Sequence, residues 1–224
     1  MNITLLKLMC RPVTSQAARA GLMGRNRDRN NPDKGRFTRA EVDNILKRVW
    51  LTYDQLAPLV PQETTLGNRM VMLLSCVTLA CFRVLMAAGT DRHYAIELIG
   101  DVAWKVFEKF ERLPMFVVGL LTRDPRERLR MSVNSFSRFP FTPPGYVEKR
   151  LPSSDGISMD MLRCTAAEYF RKQDAADLCI GTWCNLDYAL AEMWGGWLER
   201  TETLAAGYTR CDFRFKTSAG EKGR

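Results

Sequence analysis

Apolar residues recur at helical spacing through most of the first half of the chain. A capping pair, Thr38 and Glu41, comes just before the first clear series, which predicts a helix that ends near Pro58 and Pro61. A second helix is predicted from about Gly67 to Ala88, and a third from Thr90 or Asp91 to the residues before Pro114. The apolar positions of the first helix are Val42, Ile45, Leu46, Val49 and Trp50.

In the second half of the chain, short predicted strands alternate with short predicted helices. Residues 132–141, 146–151 and 157–163 show the alternation of strands, and the stretches 197–203 and 209–216 are predicted as two more strands around a turn. Residues 164–172 and 175–194 are predicted to be helical. We therefore expect an α+β fold, with a helical N-terminal half packed on a small antiparallel sheet formed by the C-terminal half.

Charge is concentrated at the start of the chain. The 224 residues carry a formal charge of +8, and nine basic against two acidic residues give residues 1–39 a net +7. Residues 24–39 combine Gly, Asn, Pro and charge, which is typical of a linker. We predict a basic, partly mobile segment over 1–39 and one α+β domain over 40–224, with helices over about 40–131 and the sheet with its packed helices over about 132–216.

The remainder of the chain is almost neutral, which limits the classes of partner that it is expected to bind. A nucleic-acid-binding domain needs a basic face on its folded body, so we expect a small-molecule partner and no nucleic acid. The longest apolar run, 70–82, is too short for a transmembrane helix. Seven cysteines, an odd number, and no convincing signal peptide favour a reduced, cytoplasmic location. Oligomeric state is left open.

Several common catalytic motifs are missing from the sequence. It contains no phosphate-binding loop, no GxGxxG, no GxSxG and no HExxH, and it has one histidine, His93, at the start of a predicted helix. No cysteines have the spacing of zinc ligands. We therefore expect neither a metal nor a cofactor, and the role of His93 stays open.

Cysteines and an aspartate in the last third could form a reactive site. Cys184 and Asp187 are three residues apart on a predicted helix, so they share a face. Strand alternation places Cys211 on the same face as two phenylalanines, where it could meet Cys184. Arg200 and Arg210 are candidate cations that would favour a thiolate. Inert, buried cysteines would produce the same pattern.

Three segments of the last third carry a specific combination of motifs. They are Cys164 with Glu168-Tyr169, LCIGTWCNLDY (178–188) and ERTETLAAGYTRCDFRF (199–215). Together they resemble the L-2-amino-thiazoline-4-carboxylic acid hydrolase family. The chain departs from the family pattern at Gly207-Tyr208, where a glycine pair is usual. The resemblance implies hydrolysis of a cyclic, amidine-like C–N bond, such as the ring opening of 2-amino-thiazoline-4-carboxylate to N-carbamoyl-cysteine. The positions that the resemblance carries over are Cys164, Cys184, Asp187, Cys211 and Asp212.

Specific roles follow as hypotheses. Cys184 would attack the amidine carbon, Asp187 would handle the proton, and Arg200 or Arg210 would hold a substrate carboxylate. Cys164 and Asp212 are expected to contact the substrate. Two alternatives stay open: soft-metal or carbon–metal bond chemistry at the cysteines, and a non-catalytic domain that binds a small ligand.

Overall fold

The computed structural model describes residues 3–217, with the side chains of 3–5 left undefined. Its helices are α1 (Ile3–Leu22), α2 (Arg39–Leu56), α3 (Leu66–Ala87), α4 (Arg92–Leu121), α5 (Pro125–Arg138), α6 (Thr165–Lys172), α7 (Ala176–Cys179) and α8 (Asn185–Met193). Its strands are β1 (Tyr146–Leu151), β2 (Gly156–Cys164), β3 (Trp197–Glu199) and β4 (Cys211–Lys216). The expected α+β class is confirmed.

The four long N-terminal helices pack around one hydrophobic core. The predicted capping box at the start of α2 forms as expected, since the Thr38 side chain accepts from the Glu41 N–H and Glu41 accepts from the Thr38 N–H. Helix α1, which the sequence did not indicate, packs mainly against α4. Its Leu22 side chain is completely buried, so the start of the chain contributes to the core.

The basic segment is held against α4 by ion pairs. Arg25 pairs with Glu97 and Asp101, and Arg29 also pairs with Glu97. A short antiparallel bridge joins Asn26 to Arg36. The mobility expected for this segment stays a prediction. Residues 1–2 and 218–224 of the predicted segment and domain lie outside the described residues.

Helix α3 is the most apolar element. By length and composition it is the one described helix that could cross a bilayer, but 67% of its most apolar window is buried inside the fold. A core helix of a globular protein has these same properties. It lies in the middle of the helical layer and contacts α2, α4 and α6.

The sheet is antiparallel, with the strand order β1-β2-β4-β3. In the register of the central pair, Met161 lies opposite Cys211, and Met159 lies opposite Phe213. These buried side chains form the inner face, which the helices cover. One predicted strand is wrong: residues 132–138 belong to α5, because Leu129, Val133 and Phe136 lie on one helical face that packs on the sheet.

A π turn interrupts the helical stretch between α7 and α8. It covers Ile180–Cys184, where the backbone hydrogen bonds skip one extra residue. Gly181 brings this turn directly against α4, and a β-carbon at that position would overlap Cγ2 of Ile96. The turn therefore fixes the position of Cys184, its last residue.

Candidate functional site

A partly open cavity of about 110 Å³ lies between the inner face of the sheet and the helices α5, α7 and α8. One buried water needs on the order of 10–15 Å³, so the space suits a small organic molecule. Residues from β1, β2, β4, α5, the π turn and α8 form the wall. They are Val133, Phe136, Ser137, Phe141, Tyr146, Met159, Met161, Cys164, Ala166, Cys179, Trp183, Cys184, Asp187, Trp194, Arg200, Cys211, Phe213 and Phe215.

Five of the site residues expected from the sequence line this cavity. Cys184 and Asp187 come from the stretch that begins α8, Arg200 from the loop after β3, Cys164 from the end of β2 and Cys211 from the start of β4. The sheet register explains how Cys164 and Cys211, which are distant in the sequence, come close together. The β2–β4 pairing places Cys211 beside the end of β2, where Cys164 lies. Of the three expected thiols, two therefore come from the sheet and one from the helical side.

Burial keeps most of these thiols protonated near neutral pH. It raises the pKa of Cys211 to about 12 and raises the pKa of Cys164 even further. Backbone N–H groups donate to both sulfurs, from Leu204 to Cys211 at 3.2 Å and from Ala167 to Cys164 at 3.4 Å, but burial outweighs them. The sequence missed a fourth thiol in the wall, Cys179, whose pKa is raised by its hydrogen bond with Cys184 and by burial.

Arg200 ties Cys184 and Asp187 together. One guanidinium N–H donates to the Asp187 carboxylate at 2.6 Å, and another donates to the backbone carbonyl of Cys184 at 2.8 Å. The guanidinium also lies over the rings of Tyr188 and Phe213, at 5.0 and 5.2 Å from their centroids. Burial works to lower the pKa of Arg200, but the charge of Asp187 and its hydrogen bond act against burial, and on balance the pKa is raised. A cation is therefore held against the Asp187 carboxylate and the backbone of Cys184.

Asp187 is an acid whose pKa is suited to proton transfer near neutral pH. Burial raises its pKa to about 6, although the Arg200 charge and hydrogen bond act to lower it. Its side chain lines the partly open cavity, whose wall is mostly apolar. A group with a pKa near the working pH can both donate and accept a proton.

The two other predicted substrate contacts lie outside the cavity wall. Arg210 forms ion pairs with Glu202 at 2.8 Å and with Asp160 at 3.2 Å. Asp212 accepts hydrogen bonds from the backbone N–H groups of Thr201 and Glu202, so it holds the loop after β3. Strand alternation explains this placement, because Asp212 and its cross-strand partner Asp160 face away from the cavity. The substrate contacts expected for Arg210 and Asp212 stay predictions.

Arg200 also differs from the expectation that it binds a substrate carboxylate. Its two terminal nitrogens donate to Asp187 and to the backbone of Cys184, whereas its Nε–H is buried and has no hydrogen-bond partner among the described residues. Arg200 therefore positions the aspartate. His93 is exposed and lines a separate shallow groove beside α4 and the π turn, away from the thiols.

An aromatic wall forms the rest of the cavity, and the sequence indicated only its two β4 members. Neighbouring ring centroids are 4.9–6.0 Å apart along the wall. Trp194 is held from behind by a hydrogen bond from its Nε1 to the buried Glu111 at 3.2 Å. The wall consists of Phe136, Phe141, Tyr146, Trp194, Phe213 and Phe215.

Every residue of the cavity wall lies between positions 133 and 215. Residues 128–215 match the family model of L-2-amino-thiazoline-4-carboxylic acid hydrolase. The match confirms the resemblance and extends it back to α5, β1 and β2, which the sequence motifs did not reach. No curated protein and no solved structure matches the chain.

The hydrolase-like segment therefore contains the whole cavity, while α1 to α4 lie before it. Within residues 3–217, no group of three or more His, Cys, Asp or Glu side chains is arranged to hold a metal ion. The chemistry that this hydrolase-like cavity offers consists of a thiol, an acid near neutral pKa and a buried cation that joins them.

Proposed function

We propose that the protein is a hydrolase that opens a small cyclic amidine, with Cys184 as nucleophile and Asp187 as proton donor and acceptor. One observation supports this most: Cys184, Asp187 and Arg200 meet on the wall of a single cavity within the segment that matches the hydrolase family. The family match supports hydrolysis in general. The choice of bond and of nucleophile is our proposal.

The reaction begins with addition to the amidine carbon. The Cys184 thiolate forms a bond to C2 of the ring, the C2–N π electrons move to the ring nitrogen, and Asp187 supplies the proton. The ring C2–S bond then breaks, its electron pair leaves on the substrate sulfur, and a nitrogen lone pair re-forms the C2–N double bond, so the opened substrate stays attached to Cys184. Water adds to the same carbon and gives one proton to Asp187 and the other to the released substrate sulfur. The C=O bond forms and the Cys184 thiolate leaves. One water is consumed, and both catalytic groups return to their starting forms.

The product shows which ring bond breaks. In N-carbamoyl-cysteine both nitrogens remain on the former C2, so the C2–S bond must break to form it. Breakage of the ring C2–N bond would give S-carbamoyl-cysteine instead. The amidine carbon is the reacting centre in both cases. The product that the resemblance implies is N-carbamoyl-cysteine, so the proposed reaction breaks the C2–S bond and not the C–N bond named with that product.

The test uses 2-amino-2-thiazolines that carry a 4-carboxylate or a 4-phenyl group, with products identified by mass spectrometry and free-thiol titration. We expect ring opening by the native chain and its loss, by at least a thousandfold, in Cys184→Ala. Cys10→Ala is the matched control, because Cys10 is a buried thiol on α1 outside the cavity. Full activity in Cys184→Ala would exclude Cys184 as the nucleophile. No turnover of either compound by the native chain would overturn the hydrolase proposal.

A further inference from the structure

We propose that the natural substrate carries an aryl-sized apolar group next to its cyclic amidine, in the place where 2-amino-thiazoline-4-carboxylate carries its carboxylate. The inference rests on the proposed function and names the substrate class of the same cavity. It depends on how few polar atoms of the wall are free to meet a ligand.

The cation of the wall is already neutralised and covered. Among the described residues, Arg200 is the cation that lines the cavity, its side chain is 3% exposed, and its partner is Asp187. A substrate carboxylate placed here would find no free positive charge, and it would lie beside the Asp187 carboxylate. Burying an unpaired charge is costly, so the cavity disfavours a second anion.

The remaining polar side chains of the wall are also engaged or covered. The Ser137 hydroxyl donates to Glu148 at 2.7 Å and accepts from Arg150 at 2.8 Å. The Tyr146 hydroxyl is buried and has no hydrogen-bond partner among the described residues. The carboxylate of Asp187, with 30% of its side chain exposed, is therefore the polar group best placed to meet a ligand. A protonated amidine is the natural partner of that carboxylate.

The aromatic wall supplies the complementary apolar surface. Phe213 contacts Arg200 through its ring and stacks on Phe215, so the wall starts next to the Asp187–Arg200 pair and continues to Trp194 and Phe136. Aromatic rings favour the edge-to-face and offset contacts that such a wall offers to another ring. The cavity thus has one cation-accepting end and one aromatic end.

A matched pair of ligands tests the preference for an apolar substituent by binding measurements alone. The chain with Cys184→Ala is titrated calorimetrically with 2-amino-4-phenyl-2-thiazoline and with 2-amino-thiazoline-4-carboxylate, which share the ring and differ in one substituent. We expect the phenyl compound to bind at least tenfold more tightly. Failure of the phenyl compound to bind, or equal or tighter binding of the carboxylate, would overturn the inference. Because no turnover is needed, this result is independent of whether the native chain opens either ring.

A second variant connects the preference to the aromatic wall. Adding Phe136→Ala to Cys184→Ala should reduce the ratio of the two affinities at least threefold, since one face of the apolar end is lost. Leu162→Ala, on an exposed side chain of β2 outside the cavity, is the matched control and should leave the ratio unchanged. Circular dichroism confirms that each variant is folded. An unchanged ratio in folded Phe136→Ala would show that the wall does not contact the substituent and would overturn the inference.

Discussion

Arg200 and Asp187 form an ion pair in which the cation is almost completely covered and the anion is partly exposed. Their side chains are 3% and 30% exposed, and a nitrogen–oxygen distance of 2.6 Å joins them. The same guanidinium also binds the backbone carbonyl of Cys184. One arginine therefore fixes both the acid and the backbone of the proposed nucleophile, and leaves the acid facing the cavity.

The first prediction concerns the stability of the fold between pH 4 and pH 6. Burial raises the pKa of Asp187 to about 6, whereas an aspartate in the unfolded chain has a pKa of about 3.9. In this range the folded state binds more protons than the unfolded state, so the contribution of Asp187 to the free energy of unfolding decreases as the pH rises. Asp187→Asn removes this titration.

Urea unfolding of the native chain and of Asp187→Asn at pH 4.5, 5.5 and 7 measures the effect. The stability of the native chain relative to the variant should be greatest at pH 4.5. Other carboxylates cancel in that difference, because both proteins contain them. A difference that grows as the pH rises would contradict the assigned pKa.

The second prediction separates the two arginines that the sequence analysis treated alike. Arg200→Gln leaves a carboxylate in the cavity without its counter-ion, so we expect a loss of about 3–5 kcal/mol of stability and of nearly all activity. Arg210→Gln breaks pairs of a half-exposed side chain outside the cavity, and it should cost at most about 1 kcal/mol and leave kcat/KM unchanged. Denaturation and ring-opening assays on both variants check this. A large fall in kcat/KM for folded Arg210→Gln would restore the sequence-based assignment.

The third prediction concerns the π turn that carries Cys184. Gly181→Ala places a methyl group against Ile96, and we expect a loss of about 1–3 kcal/mol from overpacking. The added methyl fills the space that Ile96→Ala opens, so the double variant should lose less stability than the sum of the two single changes. Chemical denaturation of the native chain, the two single variants and the double variant gives the coupling free energy between positions 181 and 96.

Gly119→Ala is the control for this glycine. Residue 119 lies in α4, and no atom is within 4 Å of the position of an added β-carbon. This change should therefore raise the stability by up to about 1 kcal/mol. If Gly181→Ala were also stabilising, the close approach of the turn to α4 would be wrong.

The fourth prediction tests whether the start of the chain belongs to the folded core. Leu22 is 0% exposed, so Leu22→Ala should cost about 2–5 kcal/mol. Leu8 on the same helix is 68% exposed, and Leu8→Ala should change the stability by less than about 0.5 kcal/mol. Thermal and urea unfolding of both variants decide the matter. Equal, small effects would mean that α1 does not dock as described.

The parts of the fold that local pattern controls could be predicted from the sequence. The Thr38–Glu41 box and the alternation in β2 and β4 depend on neighbouring residues, and the structure confirms them. The α5 segment was misread because its serines and phenylalanines alternate over a few residues. The helical spacing of Leu129, Val133 and Phe136 was the signal that could have corrected it.

The site depends on features that no local pattern contains. The sequence placed Cys184, Asp187 and Cys211 among the candidates, and the family resemblance added Cys164. The sequence could not show that Arg200 is covered while Arg210 lies outside the cavity. That difference depends on which face of the sheet each residue occupies and on how the loops pack. Most of the aromatic wall was missed for the same reason, since α5, β1 and α8 contribute to it from separate parts of the chain.

The central position of β4 makes the cavity wall depend on the last described strand. This strand lies between β2 and β3, yet it follows every other described element along the chain. It brings Cys211 and two phenylalanines to the wall, and it joins β3 to the rest of the sheet through its backbone pairing. Sheet and cavity wall are therefore completed by the same segment.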